Sequence, residues 1–495
     1  MKKGNPIFYS TILLTGANFL LRLAGISFQV YLSSRVGAAG IGLLQLILSV
    51  SALSFTVGSA GVRTCAMYLS AGELGRNRPG NVHSVLTGCF QYSLFFSGIT
   101  AAALWWAAPW LCRVWIGDSA ATAALRLCAL FLPIRCLRGV LTGYFTAAQR
   151  VGSMVAVAFL EQGCAMALTF LLLSRWAGAD SGALAVIAGS CAADALGFLV
   201  LLCLRNRRVR RLRGRPPYGR ILRISLPLAL ADALRSGLNT IEDLIIPRRL
   251  ALFAGTVNAM ADYGMLRGMV FPLLMFPAAI LFSLAELLVP EFSRCAARGS
   301  KNRIQYLTRR GLRAAMLFGL CSGGMLFVLA GRLGSILYQS GQVGRLLRLY
   351  APFVPMLYMD ALVDAMCKGL GQQNANARYN MLTSFLDVVL LWYLLPQLGL
   401  RGYFISFTAA HLANFALSLR RLIKASGIRL SLGKTALAAL CAGAAGGVAS
   451  LTDGMLPSGG CYLLLLGGLW YLCRIVDSGD LAWLRGLIRG RPPAC

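Results

Sequence analysis

Acidic residues are scarce in this chain, 17 Asp and Glu against 48 Lys and Arg, and there are two histidines in 495 residues. Charge of either sign is thin, at 13%, where soluble domains carry about 25%. An enzyme built on paired carboxylates, or on a nucleophile with a basic partner, therefore has little to work with. No such constellation stands out in the short segments between apolar runs. The 15 cysteines are scattered singly through apolar stretches and never form C-x-x-C. Neither a zinc site nor a disulfide framework is expected, because cysteine in such places behaves as a small hydrophobe.

Apolar residues fill the space left by charge. They make up 57% of the chain, and the mean hydropathy is +0.68. Runs of 18 or more recur from end to end, each long enough to cross a hydrocarbon core about 30 Å thick. A β-barrel would show short alternating segments instead. The expected class is an all-α polytopic membrane protein. Fourteen spans are read, at roughly 8–31, 43–66, 84–107, 122–147, 153–174, 182–204, 224–247, 264–290, 314–337, 349–370, 379–397, 403–420, 435–452 and 459–475. The first follows Lys2 and Lys3 and is too long for a cleaved signal, so it is read as a retained helix.

A net charge of +31 suggests nucleic acid only if the chain is soluble; here the positive-inside rule accounts for it, and no nucleic-acid partner is expected. With the N-terminus in the cytoplasm, the inner segments carry the basic clusters. Nine arginines lie in 205–223, and Arg294, Arg298, Lys301, Arg303, Arg309, Arg310 and Arg313 lie in 291–313. The tail adds Arg485, Arg489 and Arg491. Outer segments hold little beyond Arg35, Arg113, Arg175, Arg248, Arg249, Arg345, Arg348 and Arg401. Both termini are expected to face the cytoplasm, and the clusters to contact anionic membrane lipids.

The chain also repeats itself. "LRLCALFLP" at 125–133 returns as "LRLYAPFVP" at 347–355, six of nine residues identical, 222 positions later. The same offset aligns Gly42 with Gly264, Phe96 with Phe318 and Pro133 with Pro355. Spans 1–6 and 7–12 are therefore read as two copies of one unit. Six is an even number, so the copies lie parallel, a pattern typical of secondary transporters. The expected organisation is an N-lobe at 1–204, a basic cytoplasmic connector at 205–223, a C-lobe at 224–424, and helices 13–14 with a cytoplasmic tail at 425–495. Pro133, Pro227, Pro272 and Pro355 are expected to mark kinks.

Polar residues inside the spans form stripes. On span 7, Asp232, Arg235, Asn239, Glu242 and Asp243 step by three or four residues and share a helix face. Span 1 carries Asn18, Arg22, Gln29 and Ser33, with Arg22 at the repeat position of Arg235 after nine residues of slippage. Span 2 adds Gln45, Ser49, Thr56, Ser59 and Arg63, and span 8 puts Arg267 at the position of Gln45. An ionised group at mid-membrane costs about 2.5–3.5 kcal/mol on insertion scales, so these residues must meet water or a partner. Two readings stand. Arg235 pairs with Asp232 or Glu242 and holds the bundle together, or spans 1, 2, 7 and 8 line a wet cavity whose arginines receive an anionic substrate. Snorkelling to an interface explains Arg63 and Arg267 about as well. Further charges are Arg135, Arg138, Glu161, Asp194, Glu286 and Asp387. Asp232, Asp360 and Asp364 are candidates for ion or proton coupling, with pairing inside a helix or lobe as the alternative. His411 is read as a packing residue.

The phrases "VGAAGIGLLQL" (36–46), "FLEQ" (159–162), "IIPRRL" (245–250), "LLVPEFS" (287–293) and "KGLGQQN" (368–374) resemble the stage V sporulation protein B family. That family belongs to the multidrug/oligosaccharidyl-lipid/polysaccharide (MOP) flippase superfamily. The resemblance covers essentially the whole chain. It implies a MATE-like fold of two six-helix lobes plus two C-terminal helices, in the cytoplasmic membrane of a spore-forming bacterium or a relative of one. The implied activity is flipping of undecaprenyl-pyrophosphate-linked saccharides, peptidoglycan precursor included. Relatives in the lipid II flippase branch use arginines of helices 1, 2 and 8, which here offers Arg22, Arg63 and Arg267. Near span 4, "TGYFTAAQR" (142–150) departs from the family phrase.

The resulting expectation is a transporter and not an enzyme. Its substrate-binding residues are Arg22, Gln29, Gln45, Arg63, Arg235, Asn239, Glu242, Asp243 and Arg267, and it has no metal and no cofactor. A coupling ion or the membrane potential is the candidate driving force, and cell-wall synthesis enzymes are candidate partners. The alternative is a MATE-type cation-coupled multidrug antiporter, which would want an acidic, aromatic-lined cavity.

Overall fold

The computed structural model of the chain describes residues 6–75, 79–119, 121–175, 182–205, 216–428 and 432–475. Most of the basic connector, Lys2 and Lys3, and the arginines of the tail lie outside the described residues. Among the described residues every regular element is helical. The first part of the chain forms α1 (Pro6–Ser59), α2 (Val62–Gly75), α3 (Pro79–Leu111), α4 (Ala121–Ala147), α5 (Val151–Arg175), α6 (Gly182–Leu204), α7 (Tyr218–Leu250) and α8 (Ala259–Gly264). A π-helical stretch, Met265–Val270, leads into α9 (Phe271–Met275) and α10 (Ala278–Ala297). Then come α11 (Lys301–Tyr338), α12 (Gly341–Tyr350), a 3-10 turn at Ala351–Phe353, α13 (Val354–Gly369), α14 (Gln373–Leu398), α15 (Leu400–Ser426), α16 (Leu432–Ala449) and α17 (Met455–Leu472).

All fourteen expected spans fall on helical backbone apart from turns and a few end residues. By length and apolarity alone, eight described helical stretches qualify to cross a membrane, or nine with the pair 259–275 and 278–297, which bends by 64°. Several of the remaining spans are diluted by charge: α4 carries Arg126, Arg135 and Arg138, α7 its charged stripe, and α15 Arg401, Arg420, Arg421 and Lys424. Expected spans 1 and 2 are joined as α1, broken at Gly37, where φ is 74° and ψ 174°. A side chain would strain there, so glycine lets the chain turn between two helical arms. Of the four prolines expected at kinks, Pro272 and Pro355 stand beside irregular backbone, while Pro133 and Pro227 lie inside α4 and α7.

Contacts gather the chain into two compact units, residues 1–264 with 388–403, and 265–387 with 404–495. This grouping follows proximity, whereas the lobes read from the repeat follow sequence correspondence, and the two divisions differ at α7, at α8 and at residues 388–403.

In the first unit α2, α3 and α4 share a core that includes Val62, Cys65 and Ala66, Val85, Leu86 and Cys89, and Val140, Leu141 and Phe145, closed by Ile221 of α7. The Tyr92 hydroxyl donates to the Ala60 carbonyl at 3.2 Å, beside the break between α1 and α2. In lipid there is no hydrophobic force between helices, so close packing through small residues does the joining. The clearest case is where α1 meets α8. A Cβ on Gly42 would stand 2.2 Å from the Met260 carbonyl oxygen, and one on Gly264 2.0 Å from that of Ala38. Both pairs, 42 with 264 and 38 with 260, are related by the 222-residue offset. The contact is thus its own image under the repeat.

The second unit is organised on α11, against which α12, α13, α16 and α17 pack. Ala445, Ala449, Tyr462 and Leu466 form an apolar core there, and the Tyr462 hydroxyl donates to the Leu320 carbonyl at 2.9 Å. Near the other end of α11, Arg332 donates to the Thr452 carbonyl at 2.7 Å and to Ser458, clasping the α16–α17 turn.

Candidate functional site

The polar stripes of the first unit come from α1, α2 and α7. Arg22 and Gln29 are half-buried on the first arm of α1, and Gln45 is half-buried on the second. Arg63 is exposed at the start of α2, just past Ala60 and Gly61, whose φ values of 43° and 71° end α1. On α7, Asp232, Arg235 and Asn239 are exposed, while Glu242 and Asp243 are half-buried. The helical period carries the stripe from open surface into the α1–α7 contact. There, Ser49 donates to Asp243 at 2.7 Å, and Thr240 donates to the Ser49 carbonyl at 3.2 Å. Residues expected on spans 2 and 7 therefore do meet, through Ser49 and Asp243.

A second cluster in this unit collects charges that the sequence did not join. Arg138 of α4 reaches Glu161 of α5 and, at 3.2 Å, Asp194 of α6. Arg135 stands 3.5 Å from Asp194, donates to Ser51 at 3.2 Å, and lies over the Phe55 ring at 4.9 Å. Two cations face two anions, so the group balances its charge, which is the condition for burying it. Its residues were visible as intramembrane charges. Their partnership was not, because they lie on three helices with no common spacing.

In the second unit Arg267 sits on the π-helical stretch. Such stretches re-aim side chains and often occur at functional positions. Arg267 is half-buried, with its guanidinium 5.9 Å from the Phe271 ring centroid. Phe271 is 5.5 Å from Tyr350 and 5.3 Å from Phe407, and the Phe407 ring meets His411 tilted at 49°, 4.3 Å between centroids. Buried Asp387, which accepts from the Ser406 hydroxyl, and His411 both lie within electrostatic range of Arg267.

The two candidate coupling acids of α13 differ. Asp364 is paired with Lys368 of its own helix at 2.6 Å and accepts from Asn376 at 3.3 Å. Asp360 accepts from the Asn414 amide at 3.3 and 3.4 Å, and Asn414 is in turn 3.5 Å from Thr383. Among the described residues no three His, Cys, Asp or Glu side chains gather as a metal site would require.

The model of the family described as lipid II flippase MurJ matches residues 82–465 of the chain. Stage V sporulation protein B of Bacillus subtilis (strain 168) is 23% identical over 407 residues, 79% of this chain and 79% of that one. Sporulation protein YkvU of the same organism is 22% identical over 439 residues, 84% and 96% respectively. The solved structure of lipid II flippase MurJ in an inward closed conformation has a TM-score of 0.69 at 12% identity, covering 94% of this chain and all of that one. An inward-facing multidrug resistance MATE family transporter of the MOP superfamily scores 0.68 at 14% identity, over 85% and 100%. The structural likenesses make the fold MATE-like.

Proposed function

The chain belongs to the lipid II flippase MurJ family, and from that premise we propose that it moves undecaprenyl-pyrophosphate-linked saccharide, peptidoglycan precursor of the lipid II type included, across a bacterial cytoplasmic membrane by alternating access. The family match over residues 82–465 is the observation that carries the reading. The likeness to MATE transporters is one of fold and brings no drug substrate with it.

The chemistry of the chain supports an anionic headgroup. A pyrophosphate presents several charged oxygens, and the guanidinium fork meets them bidentately. In the first unit Arg22, Arg63 and Arg235 are assigned to this task, with Gln29, Gln45, Asn239, Glu242 and Asp243 as polar neighbours; in the second unit the task falls to Arg267. Arg22 and Arg235 lie far from the ends of long helices, where charge is tolerated only with water or a partner. Asp232, Asp360 and Asp364 remain the coupling candidates, with a coupling ion or the membrane potential as driving force. Both termini are placed in the cytoplasm by the distribution of Lys and Arg. The lobes read from the repeat, 1–204 and 224–424, supply the two halves that alternating access needs, with 205–223 as their link and 425–495 as an appendage. Cell-wall synthesis enzymes are proposed as neighbours in the membrane.

The test is transport by the purified chain in liposomes of defined lipid. Lipid-linked disaccharide and undecaprenyl-pyrophosphate oligosaccharide are each supplied to one leaflet, with a lipophilic cationic drug in a parallel arm. Protein-dependent movement of a pyrophosphate-linked lipid, and none of the drug, is expected. Drug movement alone would replace this reading with the multidrug one.

A further inference from the structure

The uncharged stretch of α11 runs from Ala314 to Gly331, between Arg313 and Arg332. At 1.5 Å per residue this is about 27 Å, close to the thickness of a bilayer's hydrocarbon core. The thirteen residues before it, Lys301–Arg313, contain no acid. They extend α11 beyond the hydrocarbon.

On that extension Asn302, Gln305, Tyr306, Arg309, Arg310 and Arg313 recur at helical spacing, so they share one face. They line a concavity of about 430 Å³. Its surroundings are held in place by two bonds to backbone. The Gln305 amide donates to the Gly427 carbonyl at 3.2 Å, just past α15, and Arg313 donates to the Ile475 carbonyl, just past α17. Arg310 lies over the Tyr306 ring at 5.7 Å, and Arg309 is exposed. Arg303, outside the concavity, pairs with Glu291 of α10 at 2.8 Å.

We propose that this concavity is a binding site for the phosphate of an anionic glycerophospholipid headgroup in the inner leaflet. Depth selects a lipid over a soluble anion. Arg309, Arg310 and Arg313 stand within about 8 Å of the apolar stretch, at the level of headgroups, while Asn302 and Gln305 lie roughly 14–18 Å from it toward water. The inner leaflet follows from the positive-inside reading; the binding itself requires no flipping activity, so the site and the proposed function can fail separately.

The test uses the full chain purified in detergent. Binding of dioctanoyl phosphatidylglycerol is followed by native mass spectrometry, with dioctanoyl phosphatidylcholine and sn-glycerol 3-phosphate as parallel probes. Saturable binding of the glycerol lipid is expected, with weak binding of the choline lipid and little of the soluble phosphate. The single change Arg309→Gln alters an exposed side chain and should weaken binding roughly fivefold, and Arg309→Gln with Arg310→Gln tenfold or more. Arg220→Gln with Arg298→Gln removes equal charge elsewhere and should leave binding unchanged. Thermal unfolding without lipid checks that each variant is folded. Unchanged affinity in Arg309→Gln, or an equal loss in the Arg220/Arg298 pair, would overturn the site. Equally tight binding of sn-glycerol 3-phosphate would make it a soluble-anion pocket instead.

Discussion

Residues 125–133 and 347–355 share six of nine positions, the arginines Arg126 and Arg348 included, yet they hold different structures and lead into differently charged segments. The first copy lies within α4, one helix of 27 residues that runs through Pro133. In the second, Pro352 stands where the first has Leu130, and together with Pro355 it removes two backbone donors within four residues. The chain answers with the 3-10 turn Ala351–Phe353 between α12 and α13. The polar groups that follow diverge as well. At the 222-residue offset Arg138 corresponds to Asp360 and Glu161 to Thr383. The first unit closes a balanced group of two arginines and two acids. The second sets the acid Asp360 among the neutral groups of Asn414 and Thr383. A balanced cluster holds helices together and resists change. A carboxylate among amides and hydroxyls can gain or lose a proton or a cation without leaving an opposite charge stranded. The comparison assigns structure to the first cluster; under the proposed function, coupling would fall to the second.

Arg138→Leu should produce the largest effect. It strands Glu161 and leaves Asp194 with Arg135 alone, and losing one partner of such an ion group costs about 3 kcal/mol or more. Thermal unfolding of the purified variant should show a large drop in midpoint, eased by adding Glu161→Leu. A normal midpoint in the single variant would remove the structural role from the cluster. Gly264→Ala should come next, at about 1–3 kcal/mol for forced overpacking. The added Cβ would meet the Ala38 oxygen at 2.0 Å. Gly42→Ala should cost a similar amount, because the two contacts are images of each other; a tenfold disparity in their effects on folded yield would break the symmetry argument. Asp360→Asn should be mildest on stability, about 1 kcal/mol or less for one exchanged hydrogen bond, while abolishing any dependence of transport on a proton or cation gradient. A stability loss as large as that of Arg138→Leu would erase the contrast between the copies.

Much of this was legible in residue type and spacing. The edges of α4 and α6 were expected almost to the residue, because apolar runs bounded by charge and small residues mark where a helix enters and leaves lipid. The fixed offset picked out Gly42 and Gly264, which pack against one another's helices. The π-helical stretch under Arg267 was not legible: a slip in hydrogen-bond register leaves no periodic signature, and Gln45, its repeat partner, lies on ordinary helix. Nor could spacing bring Arg267, Asp387 and His411 into one neighbourhood, since they come from three segments that only packing joins. Charged stripes were visible, but not which charges are used up by neighbours. Asp364 is taken by Lys368 one turn away, whereas Arg138 is taken by two other helices.

The central claim is that arginines on α1 and on the π-helical stretch receive a pyrophosphate-linked lipid. It is tested most directly by flipping rates of Arg22→Ala and Arg267→Ala in liposomes, each at wild-type protein abundance, with Arg22→Lys alongside. The account predicts that both alanine variants insert and fold but lose most of the flipping, and that Arg22→Lys restores little, because an ammonium cannot form the fork. Wild-type rates in both alanine variants would contradict it.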